Sequence, residues 1–171
     1  MASLINTGMG SPPVVIGLFV ALFLWRSGPL GFLQLIYTPS AMVIAQFIIA
    51  FPVVAGFTMA SMQQLDPKLR LQIISLGASR LQMVWLLLKE ARLPLLAAVM
   101  AGFGAVISEI GASIMVGGNI VGQTRVMTTA IVAAVSAGNF PLAIAFSVIL
   151  MILVYLVNLI LTVIQQRSKA R

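Results

Sequence analysis

Two uncharged stretches, residues 27–65 and 126–166, constrain this chain more than any motif in it. Each exceeds the about 20 apolar residues that a helix rising ~1.5 Å per residue needs to cross a bilayer core. Across all 171 residues, 61% are hydrophobic and 8% charged; a soluble domain has about 45–50% apolar and about 25% charged residues. A single water-soluble domain is excluded, and the chain reads as an all-α integral membrane protein.

Composition also narrows the chemistry. There is no Cys, hence no disulfide or thiolate, and no His, the commonest general base and metal ligand. Three acids leave little material for a hydrolytic or metal site. A net charge of +7 would suggest nucleic acid in a soluble protein. Here the basic residues cluster beside neutral runs, which makes them a topology signal, and no nucleic-acid partner is expected. The first twelve residues contain no Lys or Arg, so a signal peptide with a charged start does not fit.

Four spans are expected: Pro12 or Pro13 to Trp25 (with extension back to Leu4 open), Pro39 to about Ala60, Leu93 to about Val116, and Pro141 to about Ile164. Four crossings put Lys68, Arg70, Arg80, Lys89 and Arg92 on the same side as Arg167, Lys169 and Arg171. The positive-inside rule makes that side the cytoplasm. Arg26 and Arg125 then lie outside. The N-terminus falls inside with no basic anchor, which suggests that something precedes Met1. Residues 1–165 are read as the membrane domain, with a cytoplasmic coupling region at 66–92, and 166–171 as a basic cytoplasmic tail. Segment 28–38 reads as an outer interfacial loop with Tyr37 at headgroup level. Gly117 to Asn139 is too apolar for an ordinary loop and too broken for an ordinary span. It reads as a turn and a short helix, Thr128 to Ala137, dipping into the membrane or lining a cavity, or else as a short fifth span.

The inner loop carries the strongest local signal. Asp66-Pro67 is a helix start, with Asp capping and Pro in the first turn. Leu69, Ile73 and Leu76 share one face of that helix. Gly77 supplies a turn, and Ser79 caps a second helix that continues into Leu93-Pro94. Two short helices in an L make a rigid handle presenting Leu76, Gly77, Ala78 and Ser79, with Arg80 on its basic flank. A corner of small residues lets a partner's backbone come close, and the basic flank suits acidic rims. The alternative is a charged loop that only orients the spans.

Glu109 is the only acid inside a span, about 24 Å along the helix from Leu93. Either it latches the structure, through backbone or Thr hydroxyl groups of 117–129 or through Arg125, or it belongs to a gate. Arg125 sits in a polar patch with Gln123, Thr124, Thr128 and Thr129. It suits attraction of a doubly charged oxyanion, or it touches a delivering protein or lipid headgroups. Gly102, Ala98 and Ala105 form a small-residue packing face. Ten scattered Met residues read as apolar filling.

Leu76-Gly77-Ala78-Ser79-Arg80, with Leu93-Pro94 seventeen residues past the glycine, resembles the cytoplasmic signature of ATP-binding-cassette importer permeases. The signature's Glu-Ala-Ala positions fall on Leu71, Gln72 and Ile73. The first proline of its ending falls on Glu90 and the second is matched by Pro94. Several further segments resemble the tungstate-importer permease. They are Asn6 to Leu18, Arg26 to Gly31, Lys89 to Arg92, Ile107 to Ala112, Met115 to Ile120 and Thr124 to Ile131. Molybdate and sulfate permeases share the Glu-x-Gly-Ala pattern at 109–112.

The resemblance implies a type I importer bundle, N-terminally incomplete by one span, in a prokaryotic plasma membrane with a cytoplasmic C-terminus. It implies a non-catalytic subunit: no Gly-x-x-x-x-Gly-Lys-[Ser/Thr] is present, so no cofactor is expected on this chain, and ATP-Mg is used by a partner. Implied partners are a second permease copy, a cytosolic ATPase dimer, an extracytoplasmic oxyanion-binding protein and membrane lipid. Leu76, Gly77, Ala78, Ser79 and Arg80 would couple to the ATPase. Glu109, Gly117, Gly118, Asn119, Thr124, Arg125, Thr128 and Thr129 would line the path or gate. Molybdate or sulfate is the alternative cargo; a non-transport scaffold or an inactive remnant is the alternative function.

Overall fold

The computed structural model describes the backbone of residues 2–169 and the side chains of residues 3–166. Within them every regular element is helical: α1 (Ala2–Gly10), α2 (Pro13–Leu24), a 3-10 turn (Gly31–Leu33), α3 (Pro39–Gln63), α4 (Pro67–Ser75), α5 (Arg80–Glu90), α6 (Arg92–Ile107), α7 (Gly111–Gly117), α8 (Met127–Ser136) and α9 (Phe140–Lys169). The basic tail residues Arg167, Lys169 and Arg171 lie outside the described side chains.

Prolines and caps set the helix starts. Pro39 opens α3 behind Thr38, whose hydroxyl accepts the Ala41 N–H at 3.4 Å. Pro67 opens α4 behind Asp66, whose carboxylate accepts the Lys68 N–H at 2.8 Å. A proline in the first turn has no N–H to leave unpaired, and the cap satisfies a neighbouring one. Between α1 and α2, at Pro12-Pro13, the chain turns by 98°, because α geometry is disfavoured before a proline. Residues 4–10 therefore do not extend the α2 span in line.

Helices α3 and α9 are each long and apolar enough to cross a membrane alone. The other two expected spans are built from bent pieces. The helix expected to run from Ser79 through Leu93-Pro94 stops at Glu90, and α5 meets α6 at 73°. In an unbroken helix the Pro94 ring would collide with the carbonyl of Glu90; as the third residue of a new helix it needs no donor.

The continuous helix expected from Leu93 to Val116 is also corrected: α6 ends at Ile107 and α7 begins at Gly111. Side chains take over the backbone bonds lost there. The Ser108 hydroxyl donates to the carbonyls of Gly104 and Ala105, at 2.9 and 3.3 Å. The Glu109 carboxylate accepts the Ala112 N–H at 2.7 Å. Local polar side chains that compete for backbone groups are what end helices. Glu109 thus sits in a break rather than along a helix.

The core is built largely from small residues. Val20, Ala21 and Leu24 of α2 meet Ala41, Met42, Ala45 and Ile49 of α3 and Ala112 and Val116 of α7. Close approach of backbones is how bilayer helices gain packing energy without a hydrophobic drive. The limit is reached at Gly17, where an added Cβ would stand 2.5 Å from Ala112 Cα. Ala98 and Gly102 are buried on α6 as expected, with Gly102 against Val54 of α3; Ala105 is half-buried.

Loop 28–38 is tied to α7. The Tyr37 N–H donates to the Val116 carbonyl at 2.8 Å, and the Tyr37 ring lies edge-on to Trp25 with centroids 6.0 Å apart and packs against Gly118. Gln34, Tyr37 and Asn119 hold φ of 50°, 63° and 52°, a left-handed geometry that costs about 1–2 kcal/mol for a residue with a Cβ.

Two predictions follow from this packing. Gly17→Val should lower stability by about 1–3 kcal/mol through overpacking, read as a fall in melting temperature in detergent; an unchanged transition would refute the close α2–α7 crossing. Glu109→Ala should cost about 1.5–3 kcal/mol, the worth of a charge-assisted hydrogen bond, whereas Glu109→Gln keeps an oxygen for Ala112 and should retain most of the stability. Equal melting temperatures for the two variants would dismiss the capping role.

Candidate functional site

The sequence-predicted residues fall into two places. The first is the corner between α4 and α5. Gly77 has φ +76° with open space around its Cα, the left-handed geometry that closes a helix and that glycine adopts without steric cost. Ser79 then caps α5 reciprocally: its hydroxyl accepts the Gln82 N–H at 3.4 Å, and its own N–H donates to Gln82 Oε1 at 2.8 Å. Ile73 is buried and Leu69 half-buried. Leu76, placed on their face by spacing, is instead 85% exposed, because α4 ends at Ser75 and the chain swings outward into the turn. The corner therefore presents Leu76, Gly77 and Arg80 to solvent, with Ala78 half-buried and Ser79 exposed but engaged in the cap.

The second place is the segment from Glu109 to Thr129. The turn and short helix expected over 117–139 are present, the helix as α8. Gly117 is buried beside Met42 and Thr124, and Gly118 closes α7 with φ +70° under Tyr37. The three threonines assigned to a path are occupied by backbone. Thr124, 1% exposed, donates to the Gly117 carbonyl at 2.5 Å and accepts the Ile120 N–H at 2.9 Å. Thr129 donates to the Val126 carbonyl at 3.0 Å and accepts its N–H at 3.1 Å. Thr128 donates to the backbone carbonyl of Glu109 at 3.4 Å. The protons of Thr124 and Thr128 go to carbonyls, of Gly117 and Glu109, that a broken helix leaves without a backbone partner, while Thr129 shares the Val126 carbonyl with the Ala130 N–H.

Glu109 is buried, 9% exposed. Its expected partners need correction. The carboxylate bonds the first turn of α7 rather than a group in 117–129, because the helix break brings Ala112 N–H within reach; Thr128 reaches Glu109 only through the backbone. Nor do Glu109 and Arg125 form an ion pair among the described residues. Arg125 is turned onto Asn119, with Nε donating to Asn119 Oδ1 at 3.1 Å and Nη2 to its carbonyl at 3.4 Å.

Glu109 and Arg125 nonetheless line one cavity of about 410 Å³, together with Thr128 and Gln46 and an apolar wall that includes Val106, Leu150 and Leu153. Gln46 is the residue that spacing did not reveal. Its signal was available as the one amide between Pro39 and Ala60, since a polar group inside a span tends to face protein or a cavity. The cavity combines one cation, one amide and one carboxylate held by its own backbone, a set suited to a polar solute and without a nucleophile–base pair.

The profile of the family described as the binding-protein-dependent transport system inner membrane component matches residues 1–171. The tungstate uptake system permease protein TupB of Peptoclostridium acidaminophilum is 40% identical over 158 residues, covering 92% of this chain and 69% of that protein. A probable anion ABC transporter permease protein of Haloferax volcanii is 39% identical over 176 residues, covering 100% of this chain and 76% of its own length. TupB of Campylobacter jejuni is 32% identical over 157 residues, covering 92% of this chain and 66% of that protein. With its helical bundle, its apolar spans and a match along its whole length, the chain belongs to the family of binding-protein-dependent transport system inner membrane components and is a permease subunit of an ABC importer.

Proposed function

We propose that this chain is the permease of an ATP-driven tungstate importer, pairing with a second copy around a translocation path and seating its α4–α5 corner in a cytosolic ATPase dimer. The observation that carries the coupling role is the doubly capped corner: Asp66 fixes the start of α4, Gly77 makes the turn, and the Ser79–Gln82 box fixes the start of α5. A loop that only oriented the spans would need charge but not this rigidity. Leu76 at the tip is an apolar knob for a groove, with Arg80 beside it for an acidic rim.

ATP-Mg is consumed by the partner. Closure of the ATPase pair moves the two handles together and opens the path to an oxyanion-binding protein outside; hydrolysis restores the inward-facing state. Tungstate is favoured as cargo because two of the related proteins are named tungstate permeases. Arg125 supplies attraction for a dianion, with Gln46 as a neutral donor in the same cavity. Thr124, Thr128 and Thr129 keep the wall in shape, and Glu109 holds the α6–α7 break. The positive-inside distribution puts the corner and the C-terminus in the cytoplasm.

Two experiments test this reading. Gly77→Asp places a Cβ and a charge at φ +76° and should abolish copurification of the cassette ATPase; retained copurification would sink the docking assignment. Arg125→Gln should slow radiolabelled tungstate uptake on the order of tenfold, the loss of a charge-assisted contact. Uptake at the parent rate would remove Arg125 from the path, and faster uptake of molybdate or sulfate by the parent protein would reassign the cargo.

A further inference from the structure

Helix α5 has an apolar side that neither the bundle nor the corner uses. At about 100° per residue, Leu81, Val84, Trp85 and Leu88 fall in a stripe roughly 100° wide. Leu81 is 81% exposed and Trp85 61%; Val84 is exposed and Leu88 half-buried. A different side of the helix, carrying Met83 and Leu87, faces inward and shares a cavity with Leu71 and Ile74 of α4 and Met62 of α3. The stripe is therefore turned away from the bundle.

Charge is arranged around the stripe. Arg80 and Lys89 stand about 90° to either side of its centre, and Glu90, the acid of this helix, lies nearly opposite. Lys89 Nζ sits 5.2 Å from the Trp85 ring centroid, so its stem runs along the edge of the apolar surface. Because α5 meets α6 at 73°, it runs close to the bilayer plane when α6 crosses. A helix in that plane with an aromatic-bearing apolar stripe and basic residues on both margins matches the chemistry of an anionic leaflet surface.

We infer that α5 is an in-plane membrane anchor: Leu81, Val84, Trp85 and Leu88 enter the headgroup–acyl boundary, and Lys89 engages anionic lipid phosphates. This requires that α6 cross the bilayer, and it stands whichever anion is carried. The anchor would hold one arm of the L against the membrane while the other arm and the corner remain free.

The chain has two tryptophans, so Trp25→Phe leaves Trp85 as the sole indole fluorophore. In nanodiscs containing phosphatidylglycerol, Trp85 emission should be quenched more by lipids brominated near the headgroup than by lipids brominated deep in the acyl chain, and little by aqueous acrylamide. Brominated phosphatidylglycerol should quench better than brominated phosphatidylcholine. Lys89→Gln should reduce that preference, by roughly fivefold at most. Quenching dominated by acrylamide would overturn the anchor. Shielding from both acrylamide and bromolipid would mean that protein covers the stripe, a second copy or another subunit, and would overturn it equally. Should Trp25→Phe fold poorly, a spin label on Leu81→Cys in the naturally Cys-free chain gives the same decision: greater collision with oxygen than with a water-soluble nickel chelate supports the anchor, and the reverse refutes it.

Discussion

Inside a bilayer a broken helix has no water to lean on, so each N–H and C=O released at a break must find a partner in the protein. The break at residues 108–110 meets that demand with two side chains, Ser108 bonded onto the last turn of α6 and Glu109 onto the first turn of α7. Everything around the second site depends on this repair. Because the chain bends there, α7 can pack its small face on α2 and α3, and Gly17 can approach Ala112 closely. The carboxylate that looks costly in an apolar span is the group that makes the bend affordable.

The same economy accounts for the threonines. Segment 117–129 contains two turns and a helix start, and Thr124, Thr128 and Thr129 return their hydroxyl protons to carbonyls of this neighbourhood. A wall with its hydroxyl donors engaged in this way is polar in composition and internally bonded. The side chains with donors directed elsewhere are Arg125, partly tied to Asn119, and Gln46 across the cavity.

Much of this was legible in the chain itself, and the physical reason is locality. Asp66-Pro67, Gly77, Ser79 and Pro12-Pro13 act within a turn or two of their own positions, so their consequences could be read without knowing what surrounds them. The short helix after Gly117 was legible for the same reason. The span from Leu93 to Val116 was misread because hydropathy counts apolar residues and is blind to a Ser-Glu pair that replaces backbone bonds. The direction of α5 was missed because Pro94 acts backward on Glu90 across a stretch with uniform helical periodicity. Gln46 depended on tertiary placement: nothing on α3 alone indicates which of its sides faces the cavity lined by Thr128 of α8 and Leu150 of α9.

The attachment of Tyr37 has a mechanical meaning. Its N–H is fastened to the last turn of α7, its ring bears on Gly118, and its backbone is held in a left-handed state. A contact so constrained has few ways to yield gradually. Helix α7 is only about 10 Å long, with this fastening at one extremity and the break capped by Glu109 at the other. The 28–38 loop and the α6–α7 break are thereby tied to opposite ends of one short helix.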